Sequence, residues 1–151
     1  MKILFVCLGN ICRSPLAEGI LKSKLKKRGI QSKVESAGFE SYHINEPPDP
    51  RALKIAEKHG IDITENKCRL FVADDFDNFD VIYVMDTSNY RDVQYFSRND
   101  DDMDKVKYLL SVISGKNKSV PDPYYGGESG FENIFNLLEE ACDKIAETLD
   151  N

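Results

Sequence analysis

Short apolar runs alternate with segments of helical periodicity along most of the chain. Four apolar runs have the length of strands; they lie at residues 2–7, 33–36, 80–85 and 106–110. The first and third barely alternate with polar residues, as is typical of strands buried in a parallel sheet. Four segments carry helical spacing or helix-start signals; they lie at residues 14–28, 49–60, 88–96 and 128–149. This order predicts one α/β domain over residues 1–151, a doubly wound sheet with helices on both faces.

Composition and charge narrow the possible partners. The 151 residues are 41% hydrophobic and carry 20 basic against 26 acidic side chains, a formal charge of −6. A surplus of acid argues against nucleic acid and against an anionic membrane surface, since both are bound through basic residues. No apolar run approaches the roughly 18 residues of a membrane span. The apolar N-terminus is interrupted at Asn10 and Arg13 before any cleavage signal, so we expect a cytoplasmic protein.

The cysteines and histidines limit the available chemistry. Cys7 and Cys12 lack a second cysteine or histidine pair, and the two histidines are far apart in sequence, so we expect no metal site. Without a secretory signal, reduced thiols are the default. Cys142 lies on the apolar stripe of the last predicted helix and is interpreted as structural. Catalysis would therefore depend on thiolate, carboxylate and arginine.

The first strand-to-helix turn is the expected ligand site of a doubly wound sheet. It carries Cys7, then five residues, then Arg13 and Ser14. Such a loop can wrap backbone N–H groups around one oxyanion, the following helix start adds positive potential, and Arg13 can fork onto two phosphate oxygens. The same dipoles would stabilise a Cys7 thiolate aimed at phosphorus. Ser14 and Pro15 predict the N-cap and first position of the helix.

Transfer of phosphate to sulfur needs an acid for the departing oxygen. Asp122, between two prolines and followed by Tyr124 and Tyr125, is presented from an extended segment beside two rings. Asp49 precedes a proline in the same way, but it stands where a helix begins, and an N-cap role explains it. The chemistry is therefore assigned to Asp122.

The chain resembles the low-molecular-weight protein tyrosine phosphatase family over essentially its whole length. The matching stretches are FVCLGNICRSPLAE, SAG, PPDPRA, MDTSN and DPYYGG, at residues 5–18, 36–38, 47–52, 85–89 and 122–127. The resemblance implies a four-stranded parallel sheet and a two-step reaction without metal or cofactor. It also implies phosphotyrosine-containing proteins or peptides as substrates, with inorganic phosphate or other oxyanions as inhibitors.

Roles are carried over from the family by motif. Cys7 would be the nucleophile, Arg13 would bind phosphate, and Asp122 would act first as acid and then as base. Asn10 would support the loop geometry, and Ser14 would help the thiolate leave. Gly9 and Cys12 belong to the phosphate-binding loop, and the remaining substrate-binding residues would wall an aromatic slot: Leu8, Ile11, Tyr42, Tyr124 and Tyr125.

Several positions depart from the family pattern. Tyr42 stands where the family often has Trp, and Phe39 stands where Thr is usual. His43 is expected at the rim of the slot. A histidine that usually braces the loop is replaced by Asn66, whose amide could hydrogen-bond Asn10. Cys12, in the same tight loop as Cys7, suggests a redox switch in which a Cys7 sulfenic acid is trapped as a disulfide.

Other functions remain to be separated from tyrosine phosphatase activity. A thioredoxin-coupled arsenate reductase needs two further cysteines near mid-chain, and residues 71–141 contain none. A protein arginine phosphatase commonly carries Thr at the position of Ile11 and lacks the tyrosine pair. A phosphocysteine carrier needs neither Arg13 nor an acid, and an inactive phosphopeptide-binding module would not be expected to keep every catalytic group.

Overall fold

The computed structural model describes residues 1–123 and 127–150 as four strands and seven α-helices, with a short 3₁₀ turn at Ser41–His43. The strands are β1 (Lys2–Val6), β2 (Lys33–Ala37), β3 (Val81–Val84) and β4 (Val106–Tyr108). The helices are α1 (Arg13–Lys27), α2 (Pro50–Lys58), α3 (Asp75–Asn78), α4 (Thr87–Phe96), α5 (Asp100–Asp104), α6 (Ser111–Ser114) and α7 (Gly127–Leu149). All four predicted strands and all four predicted helices are present, with ends shifted by a few residues at most.

The strands form one parallel sheet in the order β2-β1-β3-β4. Phe5 in β1 pairs with Ser36 on one side and with Tyr83 on the other. The central strands β1 and β3 are buried along nearly all of their length, which explains their continuous apolar sequences. The chain crosses from β2 over β1 to reach β3, so the order reverses beside β1. The predicted doubly wound α/β fold is confirmed.

Each face of the sheet packs against its own set of helices. One apolar cluster joins alternate residues of β1 to α1, α2 and α7, and α1 and α7 lie against each other. The second cluster joins the other face of β1 and β3 to α3, α4 and the aromatic residues Phe71 and Phe79. Cys142 is fully buried in the first cluster, where its thiol donates to the carbonyl of Ala17, so its predicted structural role is confirmed.

The start of α1 differs from the prediction. The helix begins at Arg13 and its N-cap is Cys12, so Ser14 lies inside the first turn and does not cap the helix. Its hydroxyl is bonded instead to Cys7 and Asn10. Pro15 still fits, because proline is tolerated in the first turn, where no N–H partner is required.

Asp49 caps α2 as predicted. Its Oδ1 accepts a hydrogen bond from the N–H of Arg51 at 2.8 Å and a second bond from the Arg51 guanidinium. Burial raises the pKa of Asp49. The bonds and the charge of Arg51 together outweigh this effect, so the folded-state pKa lies below its ordinary value. The short helices α3, α5 and α6 were not predicted, because four or five residues cannot show an apolar period.

We expect Asp49→Ala to lower the free energy of unfolding by about 0.5–2 kcal/mol at pH 7, the usual range for a lost N-cap. Because folding depresses the pKa of Asp49, its stabilisation is complete above the unfolded-state value of about 4 and is lost as the pH falls through the folded-state pKa. Urea unfolding from pH 7 to pH 3 measures this. Asp74→Ala is the control, since Asp74 precedes α3 without a side-chain capping bond; an equal loss there would contradict the prediction.

Candidate active site

The loop between β1 and α1 lies at the carboxyl edge of the sheet, where the strand order reverses. Cys7 follows β1 directly, is 3% exposed, and donates its N–H to the carbonyl of Ala37 at the end of β2. Arg13 opens α1. The loop therefore occupies the crevice that parallel α/β sheets offer to ligands, with its ends fixed by a strand and a helix.

The carbonyl oxygens of this loop are bonded to the surrounding protein. The Leu8 carbonyl accepts from the N–H groups of Phe39 and Glu40 at 2.7 and 3.1 Å. The Gly9 carbonyl accepts from the Cys68 thiol at 3.1 Å. The carbonyls of the next residues are held in the same way, Ile11 by the N–H of Asp49 and Cys12 by the N–H of Leu16.

The N–H groups of residues 8–12 make no such bonds. Within residues 1–123 and 127–150, none of them donates to a protein acceptor. A run of backbone donors beside a helix N-terminus is an anion-binding arrangement. The carbonyls of Leu8, Gly9 and Ile11 are bonded to other parts of the protein, so the N–H groups of the same peptides are left available for a ligand.

Asn10 holds the loop in an unusual backbone conformation. Its φ is 54°, in the left-handed region, and it is nearly fully buried. Its Nδ2 donates to the hydroxyls of Ser14 at 2.8 Å and Ser36 at 3.0 Å, and its Oδ1 accepts from the N–H of Arg69 at 3.0 Å. These three bonds offset the conformational cost. The close approach of the loop also requires glycine at position 38, because a Cβ there would lie only 2.8 Å from the backbone nitrogen of Asn10.

A chain of hydrogen bonds runs from Asn10 to the protein surface, and Asn66 is not a member of it. The Ser36 hydroxyl donates to the buried carboxylate of Glu18 at 2.6 Å, and Lys22 bonds the other oxygen of that carboxylate at 2.5 Å. The Nδ2 atom of Asn66 is buried and finds no hydrogen-bond partner in the part of the chain that the structure describes. The possible bond from Asn66 to Asn10 does not form within the described residues, where the Asn10 Nδ2 donates to Ser14 and Ser36 and its Oδ1 accepts from the Arg69 N–H.

The buried arginine is held by two distant segments. Arg13 is 3% exposed, and its Nη1 donates to Oδ2 of Asp86 and to the carbonyl of Val120, both at 2.8 Å. A buried guanidinium requires such partners. The other oxygen of Asp86 caps α4 by accepting from the N–H of Asn89 at 2.9 Å. Asp86 has no role in the predictions from sequence. The available signal was its place between β3 and α4, in the matched MDTSN stretch.

Cys7, Arg13 and Asp122 line one cavity of about 190 Å³. The Cys7 sulfur lies 3.0 Å from the Ser14 hydroxyl. Asp122 lines the same cavity, with its side chain 39% exposed and its Oδ2 4.0 Å from Nη2 of Arg13. The cavity is completed by the other lining residues, which are Leu8, Gly9, Ile11, Cys12, Glu40 and His43.

The aromatic wall differs in part from the expectation. Tyr42 is 78% exposed and lies edge-on to His43, and it is not among the described residues that line the cavity. His43 does line the rim, with its Nδ1 2.8 Å from Glu46. Tyr124 and Tyr125 lie outside the described residues.

Two further cysteines lie near Cys7, one within the loop and one packed against it. Cys12 lines the cavity together with Cys7, and burial, followed by the charge of Asp49, raises the pKa of its thiol strongly. Cys68 lies behind the loop, and burial raises the pKa of its thiol to about 11. Both are therefore neutral thiols near pH 7. All four cysteines of the chain are free thiols.

In residues 1–123 and 127–150, no group of three or more His, Cys, Asp or Glu side chains is placed to hold a metal ion. No helix in those ranges has both the length and the apolar character to cross a membrane.

Comparison with known proteins gives a consistent result. The family described as low molecular weight phosphotyrosine protein phosphatase matches residues 2–151. A Schizosaccharomyces pombe protein of that description is 37% identical over 152 residues, covering 99% of this chain and 97% of the relative. Among solved structures, a protein tyrosine phosphatase from Entamoeba histolytica, with Hepes in its active site, is similar with a TM-score of 0.90 and 38% identity, covering 99% and 96% of the two chains. A Drosophila arginine phosphatase is similar with a TM-score of 0.89 and 35% identity, covering 98% and 97%.

We expect Asp86→Ala to lower the free energy of unfolding by more than about 2 kcal/mol, because the buried charge of Arg13 loses its partner. Binding of inorganic phosphate should weaken at least about tenfold as the guanidinium loses its orientation. Urea unfolding and calorimetric titration with phosphate measure the two effects. Asn99→Ala is the control, since Asn99 caps α5 without contacting a buried arginine; it should show only a cap loss of about 0.5–2 kcal/mol and unchanged phosphate affinity.

Proposed function

The chain belongs to the low molecular weight phosphotyrosine protein phosphatase family, and we propose that it hydrolyses protein phosphotyrosine through a phosphocysteine intermediate. The observation that carries the proposal is the convergence of Cys7, Arg13, Asp122 and the unbonded loop N–H groups on one cavity. The family match over residues 2–151 supports the further proposal that the phosphatase domain occupies the whole chain.

In the first step, the Cys7 thiolate attacks phosphorus while the bond from phosphorus to the tyrosyl oxygen breaks. The loop N–H groups and the Arg13 guanidinium bind the equatorial oxygens, where negative charge is held in the transition state. Asp122, as the carboxylic acid, gives its proton to the departing tyrosyl oxygen. The products are the free tyrosine side chain and phosphocysteine.

In the second step, the Asp122 carboxylate takes a proton from a water molecule, whose oxygen attacks the same phosphorus. The sulfur–phosphorus bond breaks, inorganic phosphate forms, and the thiolate returns. The hydroxyl of Ser14, 3.0 Å from the sulfur, can donate to the leaving thiolate. One acid facing away from the nucleophile across the phosphate would suit both steps, since the leaving group and the attacking water occupy the same side of phosphorus.

The alternative substrate is phosphoarginine. Glu40 and Asp122 both line the cavity, and carboxylates could bond a guanidinium leaving group. Ile11 on the same wall favours the apolar phenyl ring instead, because it offers a guanidinium no partner. A phosphocysteine carrier or an inactive phosphopeptide-binding module would need neither a buried arginine aimed at the loop nor an acid facing it.

Turnover of matched phosphotyrosine, phosphoserine and phosphoarginine peptides tests the substrate class. We expect phosphotyrosine to be preferred by at least about tenfold in kcat/KM, because phosphoserine is too short to fill the cavity and phosphoarginine meets Ile11. Ile11→Thr should raise turnover of phosphoarginine relative to phosphotyrosine, and Ile113→Thr, far from the cavity, is the matched control. Equal kcat/KM for phosphoarginine in the unmodified protein would overturn the tyrosine assignment.

The roles of the three residues are tested by substitution. Cys7→Ser should abolish turnover and keep binding of inorganic phosphate, because the amide cradle is intact. Asp122→Ala should lower kcat by about 10²–10⁴, the usual contribution of a positioned acid. Asp49→Ala should lose stability and little activity. If Asp49→Ala proved inactive while remaining stable, the acid would have to be reassigned.

We also propose that Cys12 protects Cys7 from irreversible oxidation. Hydrogen peroxide converts the Cys7 thiolate to a sulfenic acid; the Cys12 thiol then attacks that sulfur, water leaves, and a disulfide forms that an added dithiol reduces. Peroxide inactivation followed by dithiothreitol should restore activity in the unmodified protein and in Cys68→Ser, but not in Cys12→Ser. Cys68 is the matched control because it contacts the loop from behind. Equal recovery in all three proteins would leave Cys12 as a packing residue.

A further inference from the structure

A second pocket lies beside the active site, on the other side of the loop formed by residues 38–40. It has a volume of about 210 Å³ and lies between the end of β2, the segment that passes Gly38, and the C-terminal half of α4. Its distinguishing lining residues are three phenylalanines, a tyrosine and a carboxylate, namely Phe39, Phe71, Phe96, Tyr95 and Asp92. None of these side chains has a part in the mechanism above.

The rings form a continuous aromatic cluster in which Phe71 is buried and Phe39 and Phe96 are partly exposed. The centroid of Phe71 lies 5.6 Å from Phe39 and 5.5 Å from Phe96, and Phe39 and Phe96 are 6.3 Å apart. Tyr95 stands edge-on to Phe96 at 5.5 Å and is 86% exposed. Aromatic faces of this kind attract cations and the alkyl stems that carry them.

Asp92 is the only charged side chain that lines this pocket among the described residues. It lies on α4 one turn before Tyr95 and Phe96 and is half-buried. Burial raises the pKa of its carboxyl, and the negative charge of Asp86 raises it further. An ionised Asp92 is therefore disfavoured where it stands and would gain from a nearby cation.

The other sheltered carboxylates in this half of the molecule already have a cation. Asp75 is paired with Arg69 and Asp102 with Arg98, each through more than one hydrogen bond. For Asp92, no hydrogen bond or ion pair forms with any residue in the ranges 1–123 and 127–150. An aromatic pocket with an uncompensated carboxylate is complementary to one cationic side chain.

The pocket adjoins the active site across residues 39 and 40. Phe39 and Glu40 both donate their N–H groups to the carbonyl of Leu8, and Glu40 lines the catalytic cavity while Phe39 lines the second pocket. α4 carries Asp92 and is capped by Asp86, the residue that binds Arg13. An extended peptide advances about 3.3 Å per residue, so residues flanking a phosphotyrosine in the cavity can reach across this short wall.

We propose that the pocket binds a lysine or arginine side chain of the substrate protein, located a few residues from the phosphotyrosine. The alkyl stem would pack on the partly exposed rings of Phe39 and Phe96, and the ammonium or guanidinium group would meet the Asp92 carboxylate beside Tyr95. This inference rests on the proposed function, since it assumes a phosphotyrosine in the catalytic cavity. It makes Asp92 a specificity-determining residue outside the catalytic machinery.

A peptide scan tests the proposal. Phosphotyrosine peptides with an uncharged background carry one lysine, arginine or norleucine at each position from four residues before to four after the phosphotyrosine. We expect lysine and arginine to lower KM about fivefold or more at one or two positions, with kcat little changed, and norleucine to give much less. Asp92→Asn should remove this preference and leave turnover of phenyl phosphate unchanged. Asp101→Asn, which removes an exposed carboxylate on α5, should preserve the preference.

The outcomes separate this inference from the proposed function. A flat scan with normal phosphotyrosine turnover, or a preference that survives Asp92→Asn, would overturn the inference and leave the phosphatase assignment standing. Absence of phosphotyrosine turnover would overturn the proposed function instead. In that case, calorimetric binding of the same peptides decides the inference, since lysine-dependent binding that Asp92→Asn abolishes would still support it and its absence would reject it.

Discussion

The bonding of the loop carbonyls is the constraint on which the rest of the site depends. In a buried peptide group, the N–H is available to a ligand at low cost only if the carbonyl has a partner as well. Here the carbonyls of Leu8, Gly9 and Ile11 are bonded by the segment after β2, by Cys68 and by the N-terminus of α2. These segments are far apart in sequence and meet only because β1 is central in the sheet. The cradle is therefore a property of the whole fold.

The strained residue of the loop is stabilised by a chain of polar contacts. Asn10 joins Ser14, next to the nucleophile, to Ser36 on β2, and Ser36 in turn bonds the buried carboxylate of Glu18 on α1. Each member is satisfied, which is the condition for a buried polar network to stabilise a structure. Lys22 closes the chain at the surface by neutralising Glu18. The left-handed backbone of Asn10 is thus held from both α1 and β2, and Asn66 contributes nothing to it.

The sequence predicted the features that depend on local pattern. Apolar runs located β1 and β3 and helical spacing located α7, because each signal lies within a few consecutive residues. The spacing from Cys7 to Arg13 predicted an anion-binding loop, and the structure brings both residues to one cavity. The sequence missed Asp86, whose partner Arg13 is 73 residues away, since no local pattern records a long-range ion pair. The sequence also predicted Ser14 as an N-cap, which is wrong. A serine before a proline gives the same sequence pattern whether its hydroxyl bonds the helix backbone or, as here, the Cys7 sulfur.

Arg13 connects the cradle to the acid. Because its Nη1 donates to both Asp86 and the Val120 carbonyl, the donors that remain for a phosphate are those of Nη2 and Nε, which form one edge of the fork. Val120 is itself held by the residue that follows β3, since its N–H donates to the carbonyl of Met85 at 2.6 Å. Asp122 follows only two residues later and lines the same cavity as Arg13. The contacts of this one buried cation therefore join the loop after β1 to the segment that carries Asp122.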